Sequence, residues 1–418
     1  MEIPVVFATD ENYIFYTVTA VTSMAENAAE DTFYRVYVLV SGELERGHGL
    51  FDCLKERYAN LELRLLPVDG RAFEHVRIHN PHVTKATFYR LLLAGLLEEE
   101  RCLYLDSDVV VGTDLQELYL TEMEGEYIAG VRDLWIDLLT KEEREARRER
   151  THIPDLDEYV NAGVLVFDLK RIREDHVMER FCRHMAYDYP YEDQDIVNVC
   201  CYGKIRRLPA KWNLFTLFLG RVEELEERGV DGDAVRQMRE RKGILHYATP
   251  FIRPWESERF LCNDVWWKYA SVWSERPEYR KLQADMRQKE IGHSKEKMAS
   301  FCAAHERVFV WGFTAFGREV CAGLMEAGVG NIACFLDRDA EKQKFTYCGK
   351  RVQPFDMERY EPGKHGFLIA CRKSGKEVRR MLMEKGVRTE DIVCCIYKDK
   401  IYNQCLRAEY LEEGEGHG

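Results

Sequence analysis

Two carboxylates one residue apart, Asp106 and Asp108, close the apolar run Leu103-Tyr104-Leu105 and precede Val109-Val110-Val111. Where a buried strand opens into a loop, both acids can reach one cation, and oxygen ligands at that spacing suit a hard divalent ion. The apolar flanks add weight, because two carboxylates withdrawn from water need a counter-charge. The same residues also describe a strand end with solvated acids, and spacing alone leaves both readings open.

The elements that would position these acids can be read upstream. Residues 3–9 form an apolar run ending in polar residues, and a helix-compatible stretch follows over 13–28. Residues 34–40, 61–66 and 102–105 read as further buried strands, with a helix over 84–97. Strand alternating with helix predicts an α/β domain with a mainly parallel sheet covered on both faces. Ligands on such sheets gather at the carboxyl ends of strands, where Asp10, Asn12, Asp106 and Asp108 fall.

The chain has 418 residues, which predicts two domains, and its apolar share of 46% suffices for sizeable cores. A net charge of −13 argues against a nucleic-acid partner, since phosphate binding needs a basic face. The opening MEIPVVFATDENY lacks a basic stretch before an apolar one, so no secretory leader is expected. No apolar run is long enough to span a bilayer. The 14 cysteines are scattered and read as reduced thiols, which predicts a cytoplasmic protein. Charge-rich segments at 140–150 and 221–242 read as a solvated helix and a surface insertion. Residues 264–304, with Trp266, Trp267 and Trp273, read as a helical bridge. Peripheral contact with the inner face of a membrane stays open as a secondary reading, as does a homo-oligomer.

Five blocks in order carry a resemblance. They are Val6-Phe7-Ala8-Thr9-Asp10-Glu11-Asn12-Tyr13; Thr87-Phe88-Tyr89-Arg90-Leu91; the Asp106/Asp108 block; Tyr159-Val160-Asn161-Ala162-Gly163-Val164 with Glu192-Asp193-Gln194-Asp195; and Leu245-His246-Tyr247 followed by Arg253-Pro254-Trp255. Over about residues 3–260 the chain resembles glycosyltransferase family 8, the retaining group that includes lipopolysaccharide galactosyltransferases and glycogenins. The resemblance implies a GT-A type nucleotide-sugar-binding domain over 1–263. It implies transfer of glucose or galactose from UDP-glucose or UDP-galactose to a glycan or glycolipid acceptor. It also implies metal ligation by Asp106, Asp108 and His246. Mixed carboxylate and imidazole ligands fit Mn²⁺ better than Ca²⁺, with Mg²⁺ an alternative.

By the same resemblance the donor site comprises Ala8, Asp10, Asn12, Tyr13, Arg90, Asp106, Ser107, Asp133, Asn161, Ala162, Asp193, Gln194 and Arg253. Asp10 and Asn12 would bond the uracil edge and Tyr13 would stack on the ring. Asn161, Asp193 and Gln194 would bond sugar hydroxyls. Arg90, Asp193 and Gln194 are the candidate catalytic residues. An amide such as Gln194 is a poor nucleophile, which favours same-face attack guided by the departing diphosphate. Tyr13 as a core tyrosine and Arg90 as a surface ion-pair partner stay open. The chain departs from the family pattern after His246: Thr249-Pro250 occupies a region usually carrying glycine, and Arg253 lies one position past the usual basic residue. A non-catalytic sugar-nucleotide-binding scaffold and a self-glycosylating primer are the alternatives.

Residues 305–400 read as a smaller Rossmann-like α/β domain, with 401–418 as a tail. Gly312-Phe313-Thr314-Ala315-Phe316-Gly317 follows a strand and opens a helix, and Asp337 lies where a ribose-binding acid would. Thr314 takes the middle glycine position, so an accessory domain without cofactor is the favoured reading.

Overall fold

The computed structural model describes all residues except 43–47, 75, 79–83, 220–241, 250–252, 257–261, 294, 327, 358–359, 372–374 and 395–418. Nearly all of the charge-rich segment 221–242 and the whole tail therefore lie outside the described residues. The chain divides into two compact units: Met1–Pro250 with Leu261–Tyr279, and Phe251–Phe260 with Arg280–Gly418. The division falls inside the segment read as a bridge. Helix Asn263–Ala270 belongs to the first unit and helix Lys295–Ala303 to the second.

The first unit is built on a mixed seven-stranded sheet. Its strands are β1 (Glu2–Thr9), β2 (Phe33–Ser41), β3 (Leu61–Val68), β4 (Arg101–Leu105), β6 (Ile128–Arg132), β7 (Val160–Asp168) and β8 (Ile205–Arg207), in spatial order β3-β2-β1-β4-β7-β6-β8. All neighbours run parallel except β4–β7 and β6–β7. The central strands are apolar along their length because helices cover both faces: Ile3, Val5, Val6 and Phe7 are all buried. Each such side chain contributes about 1.5–3 kcal/mol, enough to fix the sheet's register.

Helix Ile14–Glu26 is enclosed almost all round, yet carries Thr19, Thr22 and Ser23. Their hydroxyls bond carbonyls of the preceding turn (Thr19 to Phe15, 2.9 Å; Thr22 to Val18, 2.8 Å), so their burial leaves no polar group unsatisfied. Thr22 also accepts from the Trp273 indole at 2.9 Å, and Trp266 is fully buried in the same unit.

Chain order reverses between β1 and its two neighbours. Strand β2 pairs on one side and β4 on the other, so the loops after β1 and β4 open side by side. A second, three-stranded sheet joins β5 (Val109–Val111), β10 (Ile244–His246) and β9 (Leu214–Phe215). In its register His246 stands opposite Val109 and beside Phe215.

Two local expectations change. The stretch 84–97 forms a 3₁₀ helix, Lys85–Leu92, before a short α-turn, Leu93–Leu96. Phe88, Tyr89, Arg90 and Leu91 are consecutive and all buried, so this segment is enclosed rather than amphipathic. The charge-rich helix Lys141–Thr151, started by a Thr140–Glu143 capping box, is not wholly solvated. Arg147 is buried, stacks on Tyr159 and Tyr191, and pairs with Asp195 at 3.1 Å.

The second unit is a six-stranded sheet: β11 (Arg307–Trp311), β12 (Ile332–Leu336), β13 (Thr346–Tyr347), β14 (Lys350–Gln353), β15 (His365–Ile369) and β16 (Ile392–Cys394). Its order is β13-β14-β12-β11-β15-β16, parallel apart from β13–β14, and the parallel part follows the Rossmann pattern. Alternate residues of β11 feed the two sides: Val308 and Val310 enter one core cluster and Trp311 the other.

Candidate functional site

Strand β4 delivers Asp106 and Asp108 at its carboxyl end, and β10 delivers His246 beside them. One ligand atom from each of the three lies within 4.8 Å of the others. His246 Nε2 is 3.2 Å from Asp108 Oδ1 and 3.8 Å from Asp106 Oδ2. His246 is buried and stacked on Phe215, and its Nδ1 meets Asn213 Oδ1 at 2.8 Å. Asp106 keeps a side-chain exposure of 26%, so the cluster opens to solvent on that side.

Gly163 on β7 makes the convergence sterically possible. Its carbonyl accepts from Asp106 N–H at 2.8 Å. A Cβ there would lie 2.2 Å from the His246 ring and 2.8 Å from Asp106 Oδ2. The residues fit a divalent ion: two carboxylate oxygens and one imidazole nitrogen face one point, with the space kept clear by a missing side chain.

Arg90 ties this cluster to the neighbouring helix. Its guanidinium reaches Asp106 at 2.7 Å, Asp193 at 3.0 Å, the Thr87 carbonyl at 2.9 Å and the Ala162 carbonyl, and it lies over the Tyr104 ring. Burial works against its charge, but Asp106 and Asp193 outweigh burial and hold its pKa above the ordinary arginine value. Arg90 is thus a buried bridge between two acids rather than a surface ion-pair partner. Burial pushes the Asp193 carboxyl up to about 6, against the pull of Arg90 and the Thr87 hydroxyl.

Helix Glu192–Cys201 starts at the same opening and presents Asp193 and Gln194. Its first residue, Glu192, is buried with φ +44°, a left-handed conformation that is unusual outside glycine. Gln194 contacts Asn161 at 2.8 Å, Ala162 N–H at 3.0 Å and Asp133 at 2.7 Å. Burial raises the Asp133 carboxyl, with Trp135 N–H and Arg147 opposing.

At the end of β1, Asp10 Oδ1 accepts from Asn12 N–H (2.8 Å) and Tyr13 N–H (3.2 Å), so this carboxylate shapes its own turn. Asn12 is exposed, and Tyr13 packs edge-on against Tyr16 at 5.1 Å, which in turn meets Trp266. Ser107 bonds the Ala8 carbonyl at 3.2 Å and Thr17 at 2.8 Å, locking the two loops together. Through Ser107 the end of β1 is tied to the loop that carries Asp106 and Asp108. Arg253 falls in the stretch Phe251–Phe260 that groups with the second unit, and its N–H donates to Glu256 at 3.2 Å.

In the second unit the glycine turn is occupied by its own chain. The Gly317 N–H donates to Thr314 Oγ1 at 3.0 Å, and Asp337 accepts from Phe313 N–H at 2.9 Å and pairs with Lys342 at 3.2 Å. The donor and the acid that a dinucleotide would use are therefore already engaged.

Three participants escape sequence reasoning. Asn213 holds the outer ring nitrogen of His246, yet its segment, Lys211-Trp212-Asn213-Leu214, carries no motif. Gly163 sits inside a recognised block, but only the packed site shows what it makes room for. Arg147 is hidden among the charges of its helix.

The sequence profile of glycosyl transferase family 8 matches residues 4–259. A putative glycosyltransferase of Haemophilus influenzae is 25% identical over 213 residues, covering 50% of this chain and 62% of that protein. The lipopolysaccharide 1,2-glucosyltransferase of Escherichia coli is 26% identical over 276 residues, covering 63% of this chain and 74% of its own length. The solved galactosyltransferase LgtC, in complex with donor and acceptor sugar analogs, superposes with a TM-score of 0.54 and 24% identity. That match covers 67% of this chain and all of LgtC, and it supports a shared fold of the GT-A type.

Proposed function

This chain belongs to glycosyltransferase family 8 and is a transferase, and from that premise we propose that it moves glucose or galactose from the UDP-sugar to a glycan or glycolipid acceptor with retention of configuration. The observation that carries this reading is the meeting of Asp106, Asp108 and His246 around the space left by Gly163.

In this reading those three residues hold a divalent ion, Mn²⁺ before Mg²⁺. Bound there, the ion would supply Lewis-acid neutralisation of the departing diphosphate. Arg90 keeps Asp106 oriented, and so sets the inner wall of the metal site. Ala8, Asp10, Asn12, Tyr13 and Ser107 form the shelf for the uridine, with Tyr13 offering its ring face. Asn161, Asp193 and Gln194 orient the sugar, and Asp133 fixes the Gln194 amide from behind. Arg253 is retained as a diphosphate contact.

The engagement of the Gln194 oxygen by two N–H donors disfavours it as a nucleophile. It supports same-face attack, in which Gln194 holds the sugar while the acceptor hydroxyl loses its proton to the leaving diphosphate. Trapping a sugar adduct on Gln194 or Asp193 would count against this route.

A cytoplasmic enzyme is the location we favour. The described cysteines are free thiols, and no described helix is long and apolar enough to cross a membrane. The test is a panel of UDP-sugars assayed for UDP release with and without acceptor. Release confined to UDP-glucose or UDP-galactose supports the donor assignment, and turnover of another nucleotide sugar alone refutes it.

A further inference from the structure

Five buried or half-buried polar side chains form a chain of hydrogen bonds that can run in only one direction. The backbone N–H groups of Ala162 and Gly163 can only donate. They face Gln194 Oε1 at 3.0 Å and Asn161 Oδ1 at 2.9 Å, which fixes the oxygen end of both amides. Asn161 then donates through Nδ2 to Gln194 Oε1 (2.8 Å), while its oxygen also accepts from Asn213 Nδ2 (2.9 Å). Asn213 has only its oxygen left for the other side, and that oxygen meets His246 Nδ1 at 2.8 Å. The imidazole must carry a proton on Nδ1, and Nε2 is the atom turned toward Asp108 and Asp106. At the opposite end Gln194 Nε2 donates to Asp133 Oδ2 at 2.7 Å, and the other Asp133 oxygen is held by Trp135 N–H.

We propose that Asn213 is a positioning residue that fixes the His246 tautomer and couples the metal centre to the sugar-facing amides Asn161 and Gln194. The inference rests on the metal and donor assignments made above. Its content is directional: Asn213 must accept on the histidine side and donate on the Asn161 side.

Two substitutions separate the two sides. Asn213→Leu removes the acceptor for His246 Nδ1–H, so Mn²⁺ affinity should fall by about 10–100-fold, as for other outer partners of a histidine ligand. Asn213→Asp keeps an acceptor, and a carboxylate suits a ligating histidine, so Mn²⁺ affinity should stay within about threefold of the parent protein. It cannot donate to Asn161 Oδ1, however, and two oxygens would then face each other. The Asn161 amide cannot turn over to relieve this without setting its NH₂ against Gly163 N–H. Sugar transfer by Asn213→Asp should therefore fall by about tenfold or more at saturating Mn²⁺.

The experiment is Mn²⁺ titration of the full chain by electron paramagnetic resonance, with transfer kinetics alongside and Asp108→Asn as control. Circular dichroism checks that each variant folds; if Asn213→Leu does not, the size-matched Asn213→Asp decides alone. Unchanged Mn²⁺ affinity in a folded Asn213→Leu, or parental transfer by Asn213→Asp, overturns the proposal. A parent protein that binds no Mn²⁺ overturns the metal assignment and this proposal together, which the first two outcomes do not.

Discussion

Adding one methyl group at Gly163 is the sharpest perturbation of the cluster. Its backbone lies in the extended strand β7 with no left-handed φ, so alanine meets no conformational obstacle there. What it meets is the His246 ring at 2.2 Å, Asp106 Oδ2 at 2.8 Å and Asn161 Oδ1 at 3.0 Å. Restoring ordinary contact at 3.4 Å moves the ring by about 1.2 Å. His246 is buried and backed by Phe215, so the retreat must tilt the ring out of line with Asp108. Metal ligands tolerate about 0.2 Å of error, so Gly163→Ala should bind Mn²⁺ far more weakly. A misplacement of about 1 Å at a reacting centre costs about a hundredfold in rate, the fall expected in kcat/KM for UDP release. Overpacking adds about 1–3 kcal/mol of destabilisation, readable by urea denaturation. Mn²⁺ affinity and turnover both matching the parent protein would show that the ring and carboxylates do not act as one site.

Arg90→Met strands Asp106 and Asp193 without their shared cation and should cost about 3–5 kcal/mol by urea denaturation. Arg90→Lys should recover little, because one ammonium cannot reproduce the fork that serves two acids and two carbonyls. Asp337→Asn should leave UDP release within about twofold of the parent, since its carboxylate is bound to Phe313 N–H and Lys342 in its own domain; a lost activity would implicate that domain in the chemistry. In the second unit, burial pushes Asp391 up, but Arg388, Tyr360, Gly363 N–H and His305 outweigh it and hold the carboxyl well below the usual range. The stability this gives is present above the ordinary carboxylate pKa of about 3.9 and is lost as pH falls below it. Thermal melts at falling pH should show that loss, and Asp391→Asn should flatten it.

The sequence legibly announced the strands that carry the site, because β1, β2 and β4 are dominated by apolar residues, as strands buried on both faces must be. The paired acids at the end of β4 were visible for the same reason. The 3₁₀ winding at Lys85–Leu92 was not, since enclosed helical segments lose the amphipathic period that marks a helix. Asn213 was invisible because its role depends on β9 lying beside β10, a pairing that no local pattern encodes. Arg147 was masked by composition: a helix rich in charge reads as solvated, whereas one guanidinium on it turns inward onto Tyr159, Tyr191 and Asp195.

The most direct test is UDP release by protein stripped with a chelator, then resupplied with Mn²⁺, for the parent chain and Asp108→Asn. A site in which the side chains at 106, 108 and 246 grip a catalytic cation predicts no release after stripping, recovery on adding Mn²⁺, and no recovery in the variant. Full turnover by the stripped protein, or by Asp108→Asn, would contradict it.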